Sequence, residues 1–276
     1  HSERFPGPDY EPVTLPVLGE WTVSQASHGD LTHKGEWAHA IDLVMTGSDG
    51  LQYRCEGASL SDYYCYGKPV VAVADGTVAD ITDGISDNEV GENNLLRNWG
   101  NSVVLKHSDH LFSQVSHLKP GSLRVRKGDH VNQGNVLGLC GNSGRSPYPH
   151  LHFQFQATPN IGSKTIHYPL SHYLTGTDGI LSLKTHSIPA AGEKISSIQN
   201  HPLLEKAFRI LPGKRFVFEV TATNADWLQG RHEWEVKADE YNNSYLECIR
   251  SGATAYFYNN GNIHYFVNYL GTRKSL

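Results

Sequence analysis

Tyr148-Pro149-His150-Leu151-His152-Phe153-Gln154-Phe155 is the stretch on which the reading of this 276-residue chain turns. In an extended strand successive side chains point to opposite faces. That places His150, His152 and Gln154 on one face and Leu151, Phe153 and Phe155 on the other. The apolar set suits a core, while two imidazoles stand side by side in a cleft. Neutral imidazole is a common metal ligand and a proton carrier near pH 7, so the strand points to metal binding combined with acid/base work. A His-x-His pair also occurs as two exposed strand histidines, and only the rest of the chain separates the two readings.

A hydrophobic fraction of 38% is that of a globular chain rather than a disordered one. The 13 Pro and 27 Gly, with many Thr, Val and Tyr, favour strands and turns over long helices. A net charge of −5 leaves no electrostatic footprint for nucleic acid or acidic lipid. No apolar run approaches the roughly 20 residues needed to span a bilayer, and no signal-peptide pattern opens the chain. His1 is not an initiator Met, so a mature or trimmed form is expected.

Cys55 and Cys65 bracket a short polar, Tyr-rich loop and are expected to close it as a disulfide, which implies an oxidising compartment. Cys140, inside Val136-Leu137-Gly138-Leu139-Cys140, reads as a small core residue.

Along the chain, residues 1–29, with Pro6, Pro8, Pro12 and Pro16, are expected to form an N-terminal arm on the surface. His39 to Val44 reads as a strand, and residues 46–68 as a polar insertion. Strands are expected on either side of the Ala74-Asp75-Gly76 turn, then at Ser102–His107 and Leu111–His117, with a long polar loop at 83–100. Closely spaced glycines between 128 and 138 fit sharply turned strands of a compact β barrel or sandwich. From 157 to 200 the pattern loosens, and Asn200–Phe208 reads as one short helix. Alternation returns at 215–222, 233–238, 244–250, 254–258 and 262–269, with Asn259-Asn260-Gly261 as a hairpin signal. The organisation expected is an arm (1–29), a β domain (30–175) and a small antiparallel β module (176–276) of unassigned role.

Asp42 lies between the apolar Ile41 and Leu43. A carboxylate buried in such a run needs a partner, and a metal is one. Strand parity turns His39 away from it, which leaves His28 and His33 in the preceding loop. Gly35 lets the chain at His33 approach a site closely, and Asp30 with His28 is an alternative pair. His117 ends a strand, where active-site side chains often sit. His107, His110 and His130 are in turn-like contexts and read as solvated. Asn101, Arg145 and Tyr148 are candidate substrate contacts, with a turn role more natural for Asn101. Tyr245, Tyr256, Tyr258, Tyr265 and Tyr269 recur at strand spacing and read as strand packing rather than a glycan platform.

Several segments occur together in a familiar order. They are Thr32-His33-Lys34-Gly35 through Asp42, Gly67-Lys68-Pro69-Val70 with Ala74-Asp75-Gly76-Thr77-Val78, and Gly100-Asn101-Ser102 through His107 with Ser116-His117-Leu118. Gly128-Asp129 through Gly134, Gly141-Asn142-Ser143-Gly144-Arg145-Ser146 and Pro149-His150-Leu151-His152-Phe153 complete the series. Over roughly residues 30–157 the chain resembles the M23 zinc metallopeptidases, the lysostaphin/LytM-like peptidoglycan endopeptidases.

The resemblance implies a mainly β fold, a LytM-like antiparallel sandwich or barrel-like core. It implies one Zn²⁺ per chain on His33, Asp42 and His152, with His117 and His150 as the catalytic pair beside it, one accepting the water proton and the other stabilising the oxyanion. It implies a peptidoglycan peptide as substrate and a secreted or periplasmic location. The 46–68 insertion, the 83–100 loop and the C-terminal module depart from the family pattern. Two other readings stand beside it: a non-catalytic wall-binding or hydrolase-activating module, and a zinc peptidase acting on Gly-rich proteins.

Overall fold

The computed structural model describes residues 11–177, 180–198, 203, 207, 210–221, 229–241, 243–259 and 264–271. The chain separates into two compact units, one of residues 9–198 and one of residues 1–8 with 199–276.

The larger unit is built on strands β1 (Glu20–Gln25), β2 (Ile41–Val44), β3 (Pro69–Val71), β4 (Gly76–Thr82), β5 (Asn101–Ser108) and β6 (Leu111–Leu118). It continues with β7 (His130–Val131), β8 (Val136–Leu139), β9 (Leu151–Gln156), β10 (Leu170–Thr177), β11 (Ile180–Ser187) and β12 (Lys194–Ser196). Ten of these form one antiparallel sheet in the order β11-β10-β12-β1-β2-β9-β6-β5-β4-β7, and β3 pairs with β8 alone.

In β9, Leu151, Phe153 and Phe155 are buried in the main core with Leu43, Val103, Leu105 and Val115, as the alternation requires. The opposite face of the same strands is polar yet buried. It carries Asp42, His152, Gln154, Gln114 and Ser116, aligned by the pairings Asp42↔His152↔Ser116 and Gln154↔Gln114. Directly opposed residues of antiparallel strands share a face, so this register assembles the site.

The structure corrects four expectations. Residues 11–29 are no surface arm: Val13, Leu15 and Val17 are buried in the core, and β1 is an interior strand of the sheet. The boundary between units falls at 198/199 rather than 175/176, because β10, β11 and β12 complete the large sheet. The segments flanking Ala74-Asp75-Gly76 are strands but do not pair. β3 joins β8 while β4 joins β5, and Ala72, bonded to Asn135 O and Gly134 N, carries the chain from one sheet to the other. Finally, all four cysteines carry free thiols, with Cys55 exposed and Cys65 buried.

The second unit contains β13 (Arg215–Val220), β14 (Gly230–Ala238), β15 (Ser244–Cys248), β16 (Thr254–Asn259) and β17 (His264–Leu270), a consecutive antiparallel meander. Its small core is Val236, Leu246 and Phe257, with Trp234 and Phe216 packed on it. Tyr245 and Tyr256 are cross-strand partners with ring centroids 5.0 Å apart, a packing contact. Tyr258 and Tyr269 are exposed, and the Tyr265 side chain lies outside the described residues. Of the helix expected at 200–208, only Leu203 and Ala207 are described, and both are helical; the rest lies outside the described residues.

Candidate metal and catalytic site

His33, Asp42 and His152 each offer a ligand atom, and these atoms all lie within 4.8 Å of one another; all three residues are buried. Asp42 and His152 are cross-strand partners on β2 and β9. His33 arrives from the β1–β2 loop, which a 3-10 turn at Gly35–Trp37 folds back toward the sheet.

The hydrogen bonds fix where each lone pair points. The Gln154 amide donates through Nε2 to Gln156 Oε1 (2.7 Å) and Ser163 O (3.0 Å), so its Oε1 accepts. His152 Nε2–H donates to that Oε1 at 2.9 Å, which leaves the Nδ1 lone pair facing Asp42 Oδ1 at 2.9 Å. His33 Nδ1–H donates to Ala26 O at 3.0 Å. His33 Nε2 is therefore also a lone pair, 3.2 Å from the same Asp42 oxygen, buried and with no hydrogen bond of its own. Three acceptors converge with no proton between them. Buried polar atoms are not left in that state without compensation. A cation among them resolves it, and two imidazole nitrogens with one carboxylate oxygen are a zinc donor set.

Around the donors, Gln25 does what the sequence did not disclose. Its Nε2 donates to Asp42 Oδ2 at 2.9 Å, and its Oε1 accepts from Leu31 N and Thr32 N, both at 3.0 Å. One side chain thus orients the carboxylate and ties down the loop bearing His33. It was hidden because β1 reads from sequence as part of an irregular arm. Partners of metal ligands typically matter by 10–100-fold in affinity. Gln25→Ala is expected to weaken zinc binding by about 10–100-fold in competition with a chelating dye, while the fold persists. Unchanged affinity would remove Gln25 from the site.

Burial pulls the His33 pKa down, but the Asp42 carboxylate and the Ala26 and Ala40 carbonyls outweigh it and raise it above the ordinary 6.5. Burial likewise works against the Asp42 charge, yet the His152 and His33 rings in contact with its carboxylate hold its pKa well below the usual carboxylate value of 3.8. Asp42 therefore stays ionised near neutrality, and the proton that competes with metal sits on His33. Zinc affinity is expected to fall as pH drops through a value above 6.5, about tenfold per unit below it, because binding must displace one proton. Zinc titrations at several pH values between 5.5 and 8 check this; a flat profile would contradict it.

His117 and His150 stand beside the triad. The β5–β6 register shifts between Asn101 and Val103, and His117 takes φ +64 at the end of β6. The bulge re-aims His117 toward the face that its neighbour Ser116 also occupies, so its ring centroid lies 5.9 Å from that of His152 and 4.7 Å from that of His150. His117 Nδ1–H donates to Ser143 O at 2.8 Å. That carbonyl is within reach because Gly100 and Gly144 let two loops touch. A Cβ on Gly100 would lie 2.3 Å from Ser143 O, and one on Gly144 2.4 Å from Gly100 N. His150 Nδ1–H donates to Tyr148 O at 2.9 Å. Both rings are thereby left with Nε2 as an acceptor, and His150 Nε2 is 3.9 Å from Asp42 Oδ1. Burial, reinforced by His150 and His152, holds the His117 pKa well below 6.5.

The site opens into a groove of ≈ 440 Å³ whose walls include Trp37, Trp99, Gln52, Arg145 and Tyr148. Tyr148 stacks on Tyr63, so the 46–68 insertion braces one wall. Arg145 and Tyr148 thus both line the groove. Asn101 does not line the groove. It is fully buried, donating to Ile85 O (2.7 Å) and Leu118 O (2.9 Å) and accepting from Ile85 N (2.8 Å), so it holds the 83–100 loop.

His39 packs against His28 and His167 and takes no part in the triad, and neither do His28 and Asp30. His107 is not simply solvated: it bridges Asp75 O and Ser113 Oγ, each at 2.8 Å. His110 and His130 are exposed.

Residues 60–163 match Peptidase family M23. The chain is 31% identical over 134 residues to the cell division protein DipM of Caulobacter vibrioides, covering 48% of this chain and 20% of that protein. It is 31% identical over 111 residues to the peptidoglycan DD-endopeptidase ShyC of Vibrio cholerae (40% of this chain, 22% of that protein). It is 32% identical over 105 residues to the glycyl-glycine endopeptidase ALE-1 of Staphylococcus capitis (38% and 25%). The chain therefore spans about a quarter or less of the length of these relatives.

Proposed function

We propose that the chain is a zinc-dependent endopeptidase that hydrolyses peptide cross-links of bacterial peptidoglycan, a reading supported by the match of residues 60–163 to Peptidase family M23. The observation that carries the reading is the convergence of three buried lone pairs on one point, with two further imidazole acceptors beside it at the floor of an open groove.

His33, Asp42 and His152 would hold the zinc, whose chemistry is to polarise the scissile carbonyl and to lower the pKa of a water to about 7. His117, kept neutral by burial, is suited to take a proton at Nε2 and to pass it to the departing amine. His150, held through Nδ1 and partly open to solvent, turns Nε2 toward the same space, where it would face the developing oxyanion. Trp99 lies beside His152 with ring centroids 5.2 Å apart, and Trp37 packs against Trp99 at 5.6 Å.

Peptidoglycan lies outside the cytoplasmic membrane, so the proposed location is secreted or periplasmic. Among the described residues no helix is long and apolar enough to cross a membrane. The relatives' names include both a DD-endopeptidase and a glycyl-glycine endopeptidase, and the bond cut here is of one of those kinds. Digestion of purified sacculi, in parallel with a Gly-rich protein and with a pentaglycine peptide, tests the proposal. Soluble muropeptides with new amino termini are the expected result. Cleavage of the Gly-rich protein alone would move the substrate to proteins, and turnover of none would favour a wall-binding module.

A further inference from the structure

Cys65 and Cys140 are far apart in sequence, yet both are fully buried in the same core as neighbouring thiols. The backbone sets them side by side. A turn closes on Cys65 through Lys68 N to Cys65 O (3.1 Å), and the next residues clasp Cys140 through Cys140 N to Lys68 O and Gly67 N to Cys140 O, both 2.8 Å. Cys55 is placed differently. It is exposed, in the left-handed region at φ +59, and among the described contacts nothing brings its sulfur to Cys65.

We propose that Cys65 and Cys140 are joined as a disulfide when the chain folds in an oxidising compartment, and that this bond fastens the 46–68 insertion to the segments that carry the catalytic histidines. The surroundings explain what would be fastened. Cys65 Sγ donates to Pro149 O at 3.1 Å, immediately before His150. Cys140 is bridged to Leu118, and the next residue's N–H, that of Gly141, bonds His117 O at 3.0 Å. Both histidines thus have their neighbouring backbone anchored on this cysteine pair.

The chemistry needs an external disulfide, of the glutathione or oxidoreductase class. One cysteine thiolate attacks it and releases one thiol, and the second cysteine thiolate then attacks the mixed disulfide and releases the other. The two cysteines lose two protons and two electrons, and the external disulfide is reduced to two thiols. The neighbouring Cys65 thiol and burial push the Cys140 thiol well above its ordinary value of 9.0. Exchange is therefore slow in the folded protein, because the thiolate is the reacting form. The bond is made during folding and then persists.

The full chain, refolded in a glutathione buffer with oxidised glutathione in excess, is denatured without reductant, alkylated with N-ethylmaleimide, digested and analysed by mass spectrometry. The expected result is alkylation at Cys55 and Cys248 only, with a Cys65–Cys140 linked peptide that disappears on reduction. Reduction is also expected to lower the melting temperature by roughly 10 °C, since a cross-link closing a long loop restricts the unfolded chain most. Cys55→Ala should leave the linked peptide intact. Alkylation of all four cysteines, a Cys55–Cys65 linked peptide, or a melting temperature insensitive to reduction would each overturn the proposal.

Discussion

Replacing His117 or His150 by alanine is expected to leave about one zinc per chain and to reduce turnover by at least about 10²–10⁴-fold, the contribution typical of a positioned acid or base. Neither imidazole donates a ligand atom to the converging set. Each keeps its Nδ1 occupied by a backbone carbonyl, Ser143 O or Tyr148 O, and turns Nε2 toward the reacting space. Removing either ring subtracts a proton-handling group without touching the donors. The two variants should differ in stability. His117 is almost fully buried, so His117→Ala leaves a cavity and an unpaired Ser143 carbonyl and should lower the melting temperature. His150 is partly open to solvent, and His150→Ala should melt close to the parent. Zinc analysis, calorimetry and amino-group release on the same preparations separate these effects. Wild-type turnover in either variant would remove that histidine from the mechanism.

The second large effect is expected at His33. His33→Ala should lose zinc and turnover together, with affinity falling by more than about a hundredfold, since residues that merely orient ligands already account for 10–100-fold. The physical reason is that His33 supplies a buried lone pair that has no other partner. His117 is again the internal contrast, because the two rings are both buried and near His152 but only one belongs to the donor set. Retained zinc in His33→Ala would show that the register of the β1–β2 loop had been misread and would bring His28 and Asp30 back as ligands.

Much of the site was legible because alternation is a strong signal in a strand with one apolar face. Leu151, Phe153 and Phe155 had to be buried, so His152 and Gln154 had to share the other face, and they do. The choice of His33 over His28 was not legible from spacing; it came only with the resemblance. His117 could be placed at a strand end, but the bulge that turns it toward His150 depends on register between β5 and β6 that no local pattern encodes.

Gln25 was missed for a related reason. The proline-rich start of the chain suggested a loose arm, whereas tertiary packing around Val13, Leu15, Val17 and Trp21 draws β1 into the middle of the sheet. Strand β11 was missed because seven of its eight residues are exposed, so it shows no inside–outside pattern at all. The cysteine pairing inferred from proximity in sequence failed because a short loop says nothing about which way its sulfurs face. Cys65 turns inward, toward Pro149 and Cys140.

The proposed function requires the converging His33, Asp42 and His152 to hold a zinc that serves peptidoglycan cleavage. Its most direct test is to measure metal content on the purified protein together with release of new amino groups from purified peptidoglycan, with and without chelator. About one zinc per chain and release that chelator abolishes and added zinc restores is the result expected. Protein free of zinc, or release indifferent to chelator, would contradict it.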